Sequence, residues 1–161
     1  MKAIRAQLAR FRSPLEDPVP SSELPFSAVS FSGCGALNFY QTGAAAELVA
    51  RGWCSQLRFA GASAGAGLGV LLAQDSDPEE IAEVAIEILS PHRGKNLLLR
   101  PAVLFDFANR FLEHFMRPST VDKAQGRVSI SITRVRNWSN WLVSDFHDQH
   151  DLELAVRASS H

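Results

Sequence analysis

Apolar and polar positions alternate along this chain with two periods, one of strands and one of helices. Phe26-Ser-Ala-Val-Ser-Phe31 reads as a short buried strand, stopped by Ser32-Gly-Cys-Gly35. Asn38 to Arg51 is helical in pattern and closes at Gly52, a natural C-terminal glycine. Leu57-Arg-Phe-Ala60 is a second short strand. It runs straight into Gly61-Ala-Ser-Ala-Gly65 and a helix of alanine, glycine and leucine reaching to about Ala73. Asp77 or Ser76 caps a third helix, with Pro78 in its first turn, acids at Glu79, Glu80 and Glu83, and Ile81, Val84, Ala85 and Ile88 turned inward. A fourth helix, Pro101 to Arg117, stacks Val103, Phe107, Phe111 and Phe115 at four-residue intervals, a stripe most simply read as core.

Strict alternation over Val128-Ser-Ile-Ser-Ile-Thr133 predicts a strand. Arg136 to Asn140 turns the chain, and Trp141 to Phe146 returns as a hairpin partner. A last helix starts near His150 and is expected to run on to the end. The order β-α-β-α-α-α-β-β-α implies a layered α/β domain. Before it, residues 13–25 hold four prolines and read as a linker. The chain therefore divides into residues 1–25, an extension and linker, and residues 26–161, the folded unit.

Composition narrows the picture. The 161 residues suffice for one domain, and 46% hydrophobic against 20% charged residues is an ordinary globular balance. The uncharged run from Phe59 to Gln74 is too short and too glycine-rich to span a bilayer. Cys34 and Cys54 form no disulfide framework, and a reducing, cytoplasmic setting follows. A net charge of −1 argues against nucleic acid as a partner. The charge is uneven, however. Lys2, Arg5, Arg10 and Arg12 make the first fifteen residues basic with no acid among them. Ile4, Leu8, Phe11 and Leu15 recur there at helical spacing. A membrane anchor, an organelle-targeting segment and a plain N-terminal extension all fit that pattern.

The chemistry concentrates in two places. Gly61-Ala62-Ser63-Ala64-Gly65 is a G-x-S-x-G pentapeptide between a strand and a helix, the context in which the motif has meaning. Reversing the chain at one residue strains Ser63. Side chains at 61 and 65 would collide, so both are glycine, while Ala62 and Ala64 add no bulk. Ser63 is thereby exposed at the sheet edge and at a helix N-terminus, which favours developing negative charge. Gly33, Cys34 and Gly35 follow the first strand and precede a helix, so their amides can converge on an oxyanion. A dinucleotide fingerprint is the competing reading of this loop. Asn38 stands where its last glycine belongs, and no strand-terminal acid follows about twenty residues on.

Ser30 to Gly43 together with Phe59 to Gly65 resembles the patatin-like phospholipases, most closely the adiponutrin and adipose triglyceride lipase branch. Gly126 to Val135 and Val143 to Phe146 resemble the later hairpin of that branch. The resemblance implies a three-layer α/β/α fold and hydrolysis or transfer of fatty acyl esters by a Ser–Asp dyad, with no cofactor or metal. Ser63 matches the nucleophile, and Gly33, Cys34 and Gly35 match the oxyanion loop. Leu37 stands where many patatins carry arginine, and Asn38 where the branch usually has glycine. The family's aspartate lies in an Asp-Gly-Gly or Asp-Gly-Ala motif, and this sequence has no Asp-Gly pair. The domain is therefore expected to be C-terminally incomplete, with its base beyond His161.

Alternatives from the residues themselves are a Ser63–Asp–His triad drawn from Asp145, His147, Asp148, His150, Asp151 and His161, a metal at His147 and His150, and Cys34 as the nucleophile. The function expected is a lipid acyl hydrolase acting on an ester at a membrane or lipid-droplet surface. The second reading is a non-catalytic lipid-surface or regulatory module.

Overall fold

A computed structural model describes residues 24, 26–95 and 100–160. The basic start, most of the Pro/Ser linker and His161 lie outside the described residues. Among the described residues four strands form one sheet: β1 (Ala28–Phe31), β2 (Arg58–Gly61), β3 (Val128–Arg134) and β4 (Ser139–Val143). Their spatial order is β1-β2-β3-β4, with β1, β2 and β3 parallel and β4 antiparallel to β3. Six α-helices among the described residues accompany them: α1 (Asn38–Ala50), α2 (Ala64–Ala73), α3 (Pro78–Leu89), α4 (Pro101–Phe115), α5 (Thr120–Ala124) and α6 (Gln149–Ser159). This is the layered α/β architecture expected of the sequence.

The register explains where the core sits. Val29, Phe59 and Val128 are paired across three strands, and so are Phe31, Gly61 and Ile130. Because side chains alternate along a strand, both rows face the same side. That side is buried under α2. The opposite row of Ala28, Ser30, Arg58, Ala60 and Ser129 is small or polar and more exposed. Helix α2, Ala-Gly-Ala-Gly-Leu-Gly-Val-Leu-Leu-Ala, is apolar all round, and Gly65 to Ala73 are all buried. A helix of that composition is stable only as a central element.

The ends of the helices follow their cap chemistry. Asp77, rather than Ser76, caps α3, accepting the Glu79 amide at 2.9 Å, with Pro78 as the first helical residue. Asp148 caps α6 by accepting the Asp151 amide at 2.8 Å. Arg127, just before β3, donates to the carbonyl of Ala73 at 2.9 Å and to that of Cys54 at 2.6 Å. It thus ties the C-terminal end of α2 to the turn that precedes β2.

Three expectations shift. The returning strand is Ser139–Val143, not Trp141–Phe146. Phe146 leaves the sheet because its amide donates to the Gln125 side chain at 3.0 Å while its ring is buried. Residues 120–124 form a one-turn helix too short to leave a periodic signature. Helix α6 stops at Ser159, where Ser160 donates back to the Arg157 carbonyl, instead of running on.

Arg127→Ala removes both charge-assisted bonds and should lower unfolding free energy by about 1.5–3 kcal/mol in urea titration. Arg127→Lys should recover only part of this, because one ammonium lacks the guanidinium fork that reaches two carbonyls. Full recovery by lysine would contradict the two-point tether.

Candidate active site

Strand β2 ends at Gly61, and α2 begins at Ala64, so two residues reverse the chain. Ser63 takes φ 52° and ψ −126°, a conformation comfortable only for glycine. Hydrogen bonds hold it there. The Ala62 amide donates to the Phe31 carbonyl at 3.2 Å, and the Ala66 and Gly67 amides donate to the Ser63 carbonyl at 2.9 and 3.3 Å. A Cβ at Gly61 would stand 2.5 Å from the Gly65 carbonyl carbon, inside any tolerable contact. One at Gly65 would stand 2.6 Å from the Ser32 carbonyl oxygen. The sequence argument anticipates the first collision. The second, against the end of β1, is set by the sheet and has no local signature.

The glycine loop lies against this turn. A Cβ on Gly33 would be 3.3 Å from the Ser63 Cβ, so the two backbones are neighbours. Gly35 has φ +51° and starts a 3-10 turn leading into α1. The amides of Gly33, Cys34 and Gly35 make no backbone hydrogen bond to a described residue. Gln41, on α1, fixes the loop from behind by donating to the Ser32 hydroxyl at 2.8 Å and the Ser32 carbonyl at 3.2 Å. Burial pushes the Cys34 thiol up from its ordinary pKa, so it stays protonated at neutral pH. A neutral thiol without a base is a poor nucleophile, which leaves Cys34 as a source of a backbone amide.

A contact that no motif rule foresees braces the turn. The Ser159 hydroxyl accepts the Ser63 amide at 2.8 Å and donates to the Ser131 carbonyl at 2.6 Å. It links the last turn of α6, the β2–α2 reversal and β3. Ninety-six residues separate Ser63 from Ser159.

Ser63 also lines a cavity of about 260 Å³. Its wall is built from Gly35, Phe39, Gly67, Ile81, Phe107 and Phe111 among others, from five different helices and the glycine loop. Phe111 and Phe115 are core, as the stripe suggested, but Phe107 and Phe111 face the cavity too. Among the described residues Arg157 is the one charged side chain on the wall, 3.8 Å from Glu153 on its own helix. Such a site suits an apolar chain attached to a polar reacting group.

The three aspartates open to Ser63 as partners have other work, and His161 lies outside the described residues. Asp148 caps α6, Asp151 accepts the His147 amide at 3.1 Å, and Asp145 accepts from the Gln125 side chain. Asp148 and Asp151 stand at the start of the helix whose last residue, Ser159, reaches Ser63, roughly 12–16 Å away along its axis. Among the described residues the Ser63 hydroxyl has no hydrogen-bond partner, and no three metal-ligating side chains cluster.

A family model for patatin-like phospholipases matches residues 29–161. Human patatin-like phospholipase domain-containing protein 4 is 34% identical over 140 residues, covering 82% of this chain and 54% of that protein. Mouse 1-acylglycerol-3-phosphate O-acyltransferase Pnpla3 is 32% identical over 140 residues, covering 82% and 33%. Human omega-hydroxyceramide transacylase is 30% identical over 144 residues, covering 82% and 26%. The chain thus spans about half, or less, of the length of these relatives. No solved structure matches significantly.

The strain at residue 63 is measurable without an activity assay. Alanine ordinarily exceeds glycine inside or beside a helix by about 1 kcal/mol. At this φ the order should invert, with Ser63→Gly more stable than Ser63→Ala by about 1 kcal/mol in denaturant titration. The usual order would show that residue 63 is unstrained.

Proposed function

This chain belongs to the patatin-like phospholipase family, and from that premise we propose that it carries the nucleophile half of a lipid acyl hydrolase. The observation behind the proposal is the position of Ser63, in a strained reversal that also lines an apolar cavity. The acyl chain of an ester would lie along Phe107, Phe111 and Ile81, with its carbonyl at Ser63. The Ser63 Oγ would attack the carbonyl carbon, and the free amides of Gly33, Cys34 and Gly35 would stabilise the oxyanion. Losing one donor of this kind costs roughly 10²–10³ in rate. Collapse of the tetrahedral intermediate expels the alcohol, which leaves with a proton, and forms acyl-Ser63.

Water attacking the acyl-enzyme completes hydrolysis, and an alcohol attacking it completes acyl transfer. The names of two relatives, an acyltransferase and a transacylase, belong to the second outcome. Both outcomes share every step up to the acyl-enzyme. The Ser63 proton needs an acceptor, which the family resemblance assigns to an aspartate before a Gly-Gly or Gly-Ala pair. No such pair follows an aspartate in these 161 residues. The reading therefore requires that acid to be brought to Ser63 from outside them.

No described helix is long and apolar enough to cross a membrane. The lipid ester is reached, in this proposal, from the surface of a membrane or lipid droplet.

Two substitutions in the full-length gene product test the reading. Ser63→Ala should reduce ester turnover by at least roughly 10⁴-fold, and activity surviving it would end the nucleophile assignment. Gly67 lines the cavity, and an added Cβ there meets nothing within 4 Å. Gly67→Leu should therefore fill the cavity and lower turnover of long-chain esters by roughly 10–200-fold relative to an acetyl ester. An equal effect on both esters would place the acyl chain elsewhere.

A further inference from the structure

Strand β3 is longer than the sheet needs. Ile130 pairs with Gly61, the last residue of β2, yet β3 continues through Arg134. Ser131 to Arg134 pair only with β4 among the described strands. At about 3.3 Å per residue they carry the hairpin about 13 Å past the end of β2. β1, β2 and β3 are parallel, so this is the edge that also bears the glycine loop, Ser63 and the cavity.

The tip has an unusual surface for something so exposed. Val135 is 77% and Trp138 79% exposed, with Trp141 and Leu142 also open to solvent. Residues 134–143 contain Arg134 and Arg136 and no acid. The Arg134 guanidinium lies 4.2 Å from the centre of the Trp141 ring, and neither arginine is in an ion pair among the described residues.

Backbone strain adds a second observation. Trp138 has φ +54°, the left-handed region in which a bulky side chain is disfavoured and glycine or asparagine is usual. The turn itself is made by Asn137, whose side chain accepts the Ser139 amide at 3.3 Å and hydroxyl at 2.8 Å. Trp138 thus gains no burial from its place in the turn, and its positive φ is one that glycine or asparagine would hold at less cost. Across the same edge, at the start of α1, Leu37 is 73% and Tyr40 83% exposed.

Tryptophan and tyrosine partition to the headgroup level of a bilayer, and arginine is drawn to anionic headgroups. We propose that the β3–β4 hairpin tip is a docking finger that seats the Ser63 cavity on an anionic phospholipid surface, with Leu37 and Tyr40 as the second point of contact. The proposal rests on the reading of Ser63 as the nucleophile for lipid esters. It names the surface from which that ester is drawn, and the residues that hold it.

Binding and chemistry are tested apart. In the full-length gene product carrying Ser63→Ala, co-flotation is measured with vesicles of phosphatidylcholine alone and of phosphatidylcholine with phosphatidylserine. Preference for the anionic vesicles is expected, falling roughly fivefold for each of Arg134→Ser and Arg136→Ser and roughly thirtyfold for both. Trp138→Gly should weaken binding and at the same time raise the melting temperature, because it relieves the strained φ; misfolding lowers that temperature, so the two are distinguishable. In the protein with Ser63 intact, all three changes should spare hydrolysis of a water-soluble short-chain ester. Undiminished vesicle binding by the hairpin variants overturns the docking finger, whatever becomes of Ser63. A change in oligomeric state with vesicle binding unaltered would make the tip a contact between copies, and also overturns it. Loss of binding alongside soluble-ester turnover that survives Ser63→Ala would keep the finger and remove the nucleophile reading.

Discussion

The reversal between β2 and α2 is the constraint on which the site is built. A parallel strand must hand its chain to a helix within two residues while that helix packs back over the same sheet. Three backbones then crowd into one place: the end of β2, the first turn of α2 and the end of β1. Gly61 and Gly65 are where the crowding is absorbed, since a single Cβ at either would run into carbonyl groups that cannot move. Ser63 carries what strain is left. It lines the cavity, and its amide is tied through Ser159 to β3. The backbone of Ser63 is thereby fixed from three directions, which is the form preorganisation takes in the proposed role.

The cavity is a consequence of the same geometry. Helix α2 buries its whole circumference, packed on the sheet and against α1, α5 and α6, while α3 and α4 face its first turns across the cavity. Its residues near Ser63 are glycine and alanine, and these are too small to fill the space between the surrounding helices. The gap opens directly beside Ser63. Ser63 and the apolar wall beside it thus come from one short segment and its neighbours. Arg157 is the exception on that wall, and Ser159, two residues further along α6, is the brace of the turn.

Much of this was legible in the residues, for reasons that are local. Strand β3 announced itself because its alternation is strict and one face is buried. The pentapeptide announced itself because a two-residue reversal permits few side chains. Helix α3 was marked by Asp77, Pro78 and the acids that follow. What escaped was non-local. Gly65 answers to carbonyls of β1, thirty-odd positions earlier, and Ser159 to an amide ninety-six residues away. β4 was misplaced because Phe146 looks like a strand residue, whereas its burial comes from a loop held by Gln125. The α4 stripe was read as core alone because periodicity reports only that a face is apolar. It does not report whether protein or a cavity lies against that face.

The most direct test of the central claim is to map the adduct of a fluorophosphonate on the full-length gene product by mass spectrometry. Phosphonylation depends on a serine that is both activated and exposed, and it reports the residue itself. The account predicts one dominant adduct, on Ser63, that long-chain ester substrate suppresses by occupying the adjoining cavity. Ester turnover blocked by the reagent with the adduct on another residue, and Ser63 unmodified, would contradict it.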